Sequence, residues 1–153
     1  MSVLETKIPP PLVALIIGLS MWLSNDYTGS VSVPEDYRVM LAVAVALVGV
    51  SCDLGGLISF RIGKTTVNPL RPETSSKLII TGIYKITRNP MYVGMAIILT
   101  AWAVYLSNLI LMVWVGVFIA YITRFQIQPE ERALDKLFGE EFASYKQSVR
   151  RWL

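Results

Sequence analysis

In GIYKITRNPMYVG, residues 82–94, two tyrosines, an arginine and an asparagine surround a proline at the mouth of an almost wholly apolar segment. A pair of carboxylates, Glu130 and Glu131, follows two apolar segments later. Brought together, Tyr84, Arg88, Asn89, Tyr92 and the paired glutamates offer cations, anions, aromatic faces and an apolar floor. That combination suits a zwitterionic, partly apolar small molecule. Asp53 is a further candidate, because an ionisable residue at membrane depth is costly and usually faces a cavity or a partner. Each residue also has a plain structural account. Pro90 suits the first turn of a helix, and Arg88 and Tyr92 suit a membrane boundary. Glu130 and Glu131 suit the positive end of a helix dipole. Asp53 would be solvated or ion-paired if it lies near the end of its span, since Arg61 and Lys64 soon follow.

The elements that must position these residues are apolar. Four segments run roughly Pro10–Leu23, Val39–Phe60, Met91–Leu106 and Leu109–Thr123. A helix crosses a bilayer in about 20 residues, with a lower limit near 17. The second segment is comfortable; the others are short unless flanking residues join them. Tyr27, Tyr105 and Tyr121 fall where headgroups would lie. Ser107-Asn108 is so brief a polar break that the last two segments must form a tight antiparallel hairpin. The hairpin returns the chain to one face, making residues near 84–92 and 124–131 potential neighbours. Leu134, Leu137, Phe138, Phe142, Tyr145 and Val149 recur at helical spacing, predicting an amphipathic helix that starts near Pro129. The first segment reads as a retained span, because Glu5 weakens a signal-type leader and Ser24-Asn25-Asp26 offers no small-residue cleavage site.

Composition narrows the chemistry. The 153-residue chain is 54% hydrophobic and 16% charged, with a net charge of +3. It has no histidine, which excludes the His-dependent triad and His-based metal sites. Cys52 is its single cysteine, so neither an internal disulfide nor a Cys-rich zinc site can form. Arg61, Lys64, Arg71, Lys77, Lys85 and Arg88 oppose only Glu73 in the central loop. Between apolar segments, such a block marks a loop facing anionic lipid rather than nucleic acid. Together with Arg124, Arg132, Lys136, Lys146, Arg150 and Arg151 in the tail, it places both termini and the central loop in the cytoplasm by the positive-inside rule.

The predicted fold class is therefore an all-α integral membrane protein, with about four transmembrane helices and a cytoplasmic amphipathic C-terminal helix. One domain covers residues 1–153. It comprises two N-terminal spans (1–60), a basic cytoplasmic loop (61–90), a helical hairpin (91–123) and a cytoplasmic tail (124–153).

GIYKITRNPMYVG, followed by a hairpin and then PEERALDKLFGEEFASYKQSVRRW, resembles the isoprenylcysteine carboxyl methyltransferase and phospholipid methyltransferase superfamily. These are integral-membrane enzymes that use S-adenosylmethionine. The resemblance covers Leu78 to Trp152 and extends weakly into TTVNPLRPETSS. It implies a cofactor site made of Ser76, Lys77, Leu78, Ile79, Tyr84, Arg88, Asn89, Pro90, Met91, Tyr92 and Glu130. Glu130 would receive the cofactor ammonium, donors near Arg88 or Pro90 its carboxylate, and Tyr84 or Tyr92 its sulfonium. Arg124 and Glu131 would bind the acceptor. Many relatives carry histidine where this chain has Asn89, which hydrogen-bonds but does not titrate.

The implied reaction is methyl transfer to a lipophilic acceptor, a carboxylate, thiol or phospholipid amine, at the cytoplasmic membrane face. It needs no metal. In-line displacement requires alignment and exclusion of water more than a strong base. No catalytic base is assigned; for an amine or alcohol acceptor, Asp53, Glu131 or a tyrosine are the candidates. Two other classes stay open: a small four-span transporter working through Asp53, and a non-catalytic scaffold binding a partner through its tail.

Overall fold

A computed structural model describes residues 5–63 and 77–153. The described residues form helices joined by short turns, with no strand among them: α1 (Pro10–Thr28), α2 (Glu35–Gly63), α3 (Pro90–Tyr105), α4 (Met112–Ile122) and α5 (Gln128–Ser148). A 3-10 turn, Gly82–Lys85, precedes α3, another, Leu109–Leu111, precedes α4, and a π-turn, Thr123–Ile127, joins α4 to α5. Ser76 and the basic residues Lys64 and Arg71 lie outside the described residues.

The most extensive helix contact is α2 against α3, and glycine makes it possible. A Cβ on Gly49 would stand 2.8 Å from the Gly94 carbonyl oxygen, and one on Gly56 would stand 2.8 Å from Met91 Cγ. A Cβ on Gly94 would collide with the Asp53 carboxylate. Small residues let two helix backbones approach where lipid provides no hydrophobic drive for association. The core lies on the other face of α3. Tyr92, Ala96, Leu99 and Ala103 pack with Val13, Ile17 and Met21 of α1 and with Val115, Phe118 and Ile122 of α4.

The outer surface is apolar. Leu15, Leu19 and Trp22 of α1 and Val43, Leu47, Leu54 and Ile58 of α2 are all more than half exposed. In water this would be a large exposed apolar surface; in a bilayer it faces lipid. Among the described residues, two helices are long and apolar enough to cross a membrane: α2, and the continuous helical stretch Leu109–Ser148. At 16 residues, α3 spans about 24 Å, short of a hydrocarbon core of about 30 Å.

Several boundaries differ from those expected. α1 runs on through Asn25 and Asp26 to Thr28, and α2 starts at Glu35, so the first connection shrinks to residues 29–34. The added polar turn is held from across the bundle, where Asn108 Nδ2 donates to Asn25 Oδ1 (3.1 Å) and Thr28 Oγ1 (2.7 Å). The hairpin turns at Ser107, which takes a left-handed φ of 52°, and Asn108 caps the Ile110 N–H at 3.1 Å. The fourth segment does not stop at Thr123 but continues through the π-turn into the tail.

The tail is not one amphipathic helix. Gly139, with φ 49° and ψ −117°, breaks α5, and Val149 is already extended. Without a Cβ, glycine reaches that conformation at little cost. The break separates exposed Leu137 from buried Phe142 and Tyr145. It also lets Lys146 Nζ reach Asp135 Oδ1 at 2.6 Å.

Candidate functional site

The site forms where the turn before α3 meets the start of α5. Gly82 opens that turn with φ 62°, and a Cβ there would lie 2.9 Å from Ser59 Oγ of α2. Tyr84 is consequently buried, its ring edge-on to Phe60 with centroids 5.5 Å apart. Its carbonyl accepts the Tyr145 hydroxyl hydrogen at 2.6 Å, tying the turn to the second half of α5. Ile79 is buried and Leu78 half-buried, whereas Lys77 is exposed. Met91 is half-buried against Gly56.

Pro90 starts α3 and aims Tyr92, in the first turn, at α5. The Tyr92 hydroxyl donates to Glu130 Oε1 at 2.6 Å, and Gln126 Nε2 donates to the same oxygen at 2.6 Å. Glu130 Oε2 accepts no hydrogen bond among the described residues and is not a sealed atom. One oxygen is thus held and the other is open. Burial raises the Glu130 carboxyl to about 7; the bonds from Tyr92 and Gln126 oppose the rise, and the Glu131 charge adds to it. Burial, with the charges of Tyr145 and Glu130, likewise pushes the Tyr84 phenol up.

The neighbouring glutamate behaves oppositely. Glu131 Oε1 accepts from Arg88 Nη2 at 2.7 Å, and Oε2 accepts from Arg151 Nη2 at 2.6 Å. Arg151 Nε adds a third bond at 3.1 Å. Burial alone would raise this carboxyl, but the two guanidinium groups prevail and hold it below the usual range. Adjacent carboxylates therefore divide the work. Glu131 is a neutralised strut, and Glu130 titrates near neutrality.

Arg88 is also a helix cap. Its Nη1 donates to the carbonyls of Val149 (2.6 Å) and Lys146 (3.3 Å), satisfying acceptors that the last turn of α5 leaves unpaired. Residues 149–152 then fold back as a strap. The Arg88 N–H donates to the Arg150 carbonyl at 3.0 Å, while Asn89 Nδ2 and Thr87 Oγ1 both reach the Arg151 carbonyl, at 2.9 and 3.2 Å. Trp152 Nε1 anchors the strap to Thr123 Oγ1 at 3.1 Å. The carboxamide of Asn89 holds backbone, a task that needs no titrating group.

The structure therefore brings Tyr84, Arg88, Asn89, Pro90, Tyr92, Glu130 and Glu131 together. Arg124 is engaged by Glu5 at 3.0 Å instead. Asp53 packs against Gly94 with Oδ1 buried and without a hydrogen-bond partner among the described residues. Sequence reasoning missed Gln126, Tyr145 and Arg151. Gln126 stands four residues before Glu130, the spacing that pairs side chains on a helix, and that signal was available. Arg151 offered none beyond its charge.

Against known proteins, a family profile for phospholipid methyltransferase matches residues 37–141, well over half the chain. The chain belongs to that family. The match contains Tyr84, Arg88, Tyr92, Glu130 and Glu131, and leaves Glu5 and the strap outside. The chain is also similar to an uncharacterised protein of Haemophilus influenzae, 46% identical over 63 residues, covering 41% of this chain and all of that protein. Phospholipid methyltransferase membership, with the apolar helices, implies a membrane methyltransferase, and members of the family generally use S-adenosylmethionine.

Proposed function

We propose that this protein transfers a methyl group from S-adenosylmethionine to a lipophilic acceptor at the cytoplasmic face of a membrane, with both termini on that face. The observation that carries the reading is Glu130, a shielded carboxylate with one oxygen fixed by Tyr92 and Gln126 and the other open. Such a group fits the ammonium of an amino-acid-bearing cofactor through a charge-assisted hydrogen bond. When bound, the cofactor supplies an electrophilic methyl group.

The chain's own residues do the rest. Glu130 takes the cation, and Tyr92 and Gln126 keep its carboxylate aimed. Tyr84, packed on Phe60, contributes an apolar wall. The Arg88–Glu131–Arg151 network locks the first turn of α5 to the loop before α3, so Glu130 and Tyr92 hold one geometry. Positioning of that kind is the main resource of a displacement that needs no metal.

The acceptor side is apolar. A groove of ≈ 700 Å³ between α1, α2 and α3 is lined by Leu15, Trp22, Val43, Ile98 and Trp102, among others. Its α3 lining starts at Ile98, about 9 Å along the helix from Tyr92. This is surface for a hydrocarbon chain entering from the bilayer. Family membership favours a phospholipid amine as acceptor over a carboxylate or thiol.

The test is calorimetric titration of S-adenosylhomocysteine into detergent-purified protein, beside Glu130→Gln. Binding by the parent and at least about tenfold weaker binding by the variant is expected, as for loss of one charge-assisted contact. Equal affinity in the two would remove Glu130 from the site. No binding by folded parent protein, in detergent and in nanodiscs, would overturn the reading.

A further inference from the structure

The segment that precedes α1 lies outside the family match, yet it reaches the same site. Glu5 is 9% exposed and accepts from Arg124 Nη1 at 3.0 Å and from Arg132 Nη2 at 2.7 Å. Thr6, in a left-handed conformation with φ 55°, donates its N–H to the Phe125 carbonyl at 3.0 Å. That carbonyl would ordinarily bond the N–H of residue 129, but Pro129 has none. Thr6 thus donates to an acceptor that Pro129 cannot serve. Arg124 lies in the π-turn Thr123–Ile127 and Arg132 two helical turns further on, so Glu5 staples across the junction between α4 and α5. A π-turn is a rare, widened arrangement that commonly marks functional sites, and this one carries Gln126.

We propose that Glu5 and Thr6 are positioning residues: by clamping Arg124 and Arg132 and capping Phe125, they hold the π-turn where Gln126 can donate to Glu130. Neither residue touches the ligand. Their catalytic consequence rests on Glu130 being the ammonium receptor, but the positioning itself does not.

The groups facing Glu130 are Tyr92 from α3, Tyr84 from the 3-10 turn, Gln126 from the π-turn and Glu131 from its own helix. Arg88 and Arg151 already neutralise Glu131. Losing the Gln126 bond removes one of the two donors that favour the ionised carboxylate, so the Glu130 midpoint rises. Losing the negative charge of Glu5 would by Coulomb's law alone lower it. The two effects have opposite signs, which separates positioning from simple charge removal.

The experiment is a carboxyl titration of ligand-free, ¹³C-glutamate-labelled protein in detergent, with Glu130→Gln assigning the signal. Glu5→Gln is expected to move the Glu130 midpoint upward by roughly half to one pH unit, the worth of an ordinary hydrogen bond. Gln126→Leu should do the same, and the double variant should go no further. Glu5→Asp keeps the charge but shortens the reach, and should also shift upward, by less; it serves if Glu5→Gln does not fold. An unchanged or lowered midpoint in a folded variant, or full additivity with Gln126→Leu, would overturn the proposal. Because no cofactor is present, the result stands whether or not methyl transfer is confirmed.

Discussion

Glu130 and Glu131 are neighbours in sequence with opposite electrostatics, and each makes its own prediction. On the proposed reading a ligand ammonium requires ionised Glu130, whose carboxyl is raised to about 7. S-adenosylhomocysteine affinity should therefore increase as pH rises through about 7, with proton release that calorimetry in buffers of different ionisation enthalpy would read. A flat profile from pH 6 to 8 would count against the assignment. The same shift affects stability. A carboxyl raised in the folded state from 4.5 favours folding fully below 4.5, and that advantage is lost as pH rises through about 7. Glu130→Gln should thus be more stable than the parent at pH 8, by on the order of 2 kcal/mol, and the gap should close toward pH 5. Thermal melts at the two pH values would show it. For Glu131 the sign reverses. Arg151→Ala strips two bonds from a carboxylate only 13% exposed, and should cost about 1–3 kcal/mol at neutral pH. An unaltered melting temperature would mean that Arg88 alone suffices.

At the level of elements, the crossing of α2 and α3 is set by what is missing from Gly94. Its Cβ would meet the Asp53 carboxylate and, at 2.7 Å, the Gly49 carbonyl oxygen, the latter on rigid helical backbone. Gly94→Ala should push the helices apart and cost about 1–3 kcal/mol, the usual penalty of overpacking. Asp53→Ala should recover part of the loss, since it removes the flexible half of the clash and leaves the carbonyl. If Asp53→Ala recovers all of it, the backbone contact is not limiting. Asp53 thus has a packing role. A transporter reading would require Asp53→Asn to abolish transport while Glu130→Gln leaves it intact.

The whole molecule is a membrane-embedded bundle whose polar cluster gathers at one end. Tyr92, Glu130 and the Arg88–Glu131–Arg151 network share that end, while the Asn25–Thr28–Asn108 hydrogen bonds close the other. The proposed topology, with the polar cluster on the cytoplasmic side by the positive-inside rule, can be tested by fusions. A fluorescent protein fused after Leu153 should mature, and a periplasm-dependent phosphatase fused there should be inactive; the reverse result would invert the topology.

Helix content, the hairpin at Ser107-Asn108, the break at Pro90 and the meeting of residues 84–92 with 124–131 were all legible in the sequence. Each follows from local rules: apolar runs of helical length, a turn too short for anything but an antiparallel return, and a proline that cannot continue a helix. The division of labour between Glu130 and Glu131 was not legible. It depends on which guanidinium groups arrive from far along the chain, Arg88 at 2.7 Å and Arg151 at 2.6 Å, and a charge carries no label for its partner. The break of α5 at Gly139 was likewise hidden, because the apolar spacing runs straight through it. Nor did the sequence show that Asn89 holds the Arg151 carbonyl or that Arg124 pairs with Glu5. Sequence determined that residues 84–92 and 124–131 meet at one end of the helical bundle, but not that Tyr145 and Arg151 join them there. Tertiary structure decided which of them are neutralised by partners, and that Glu130 keeps one oxygen without a hydrogen bond among the described residues.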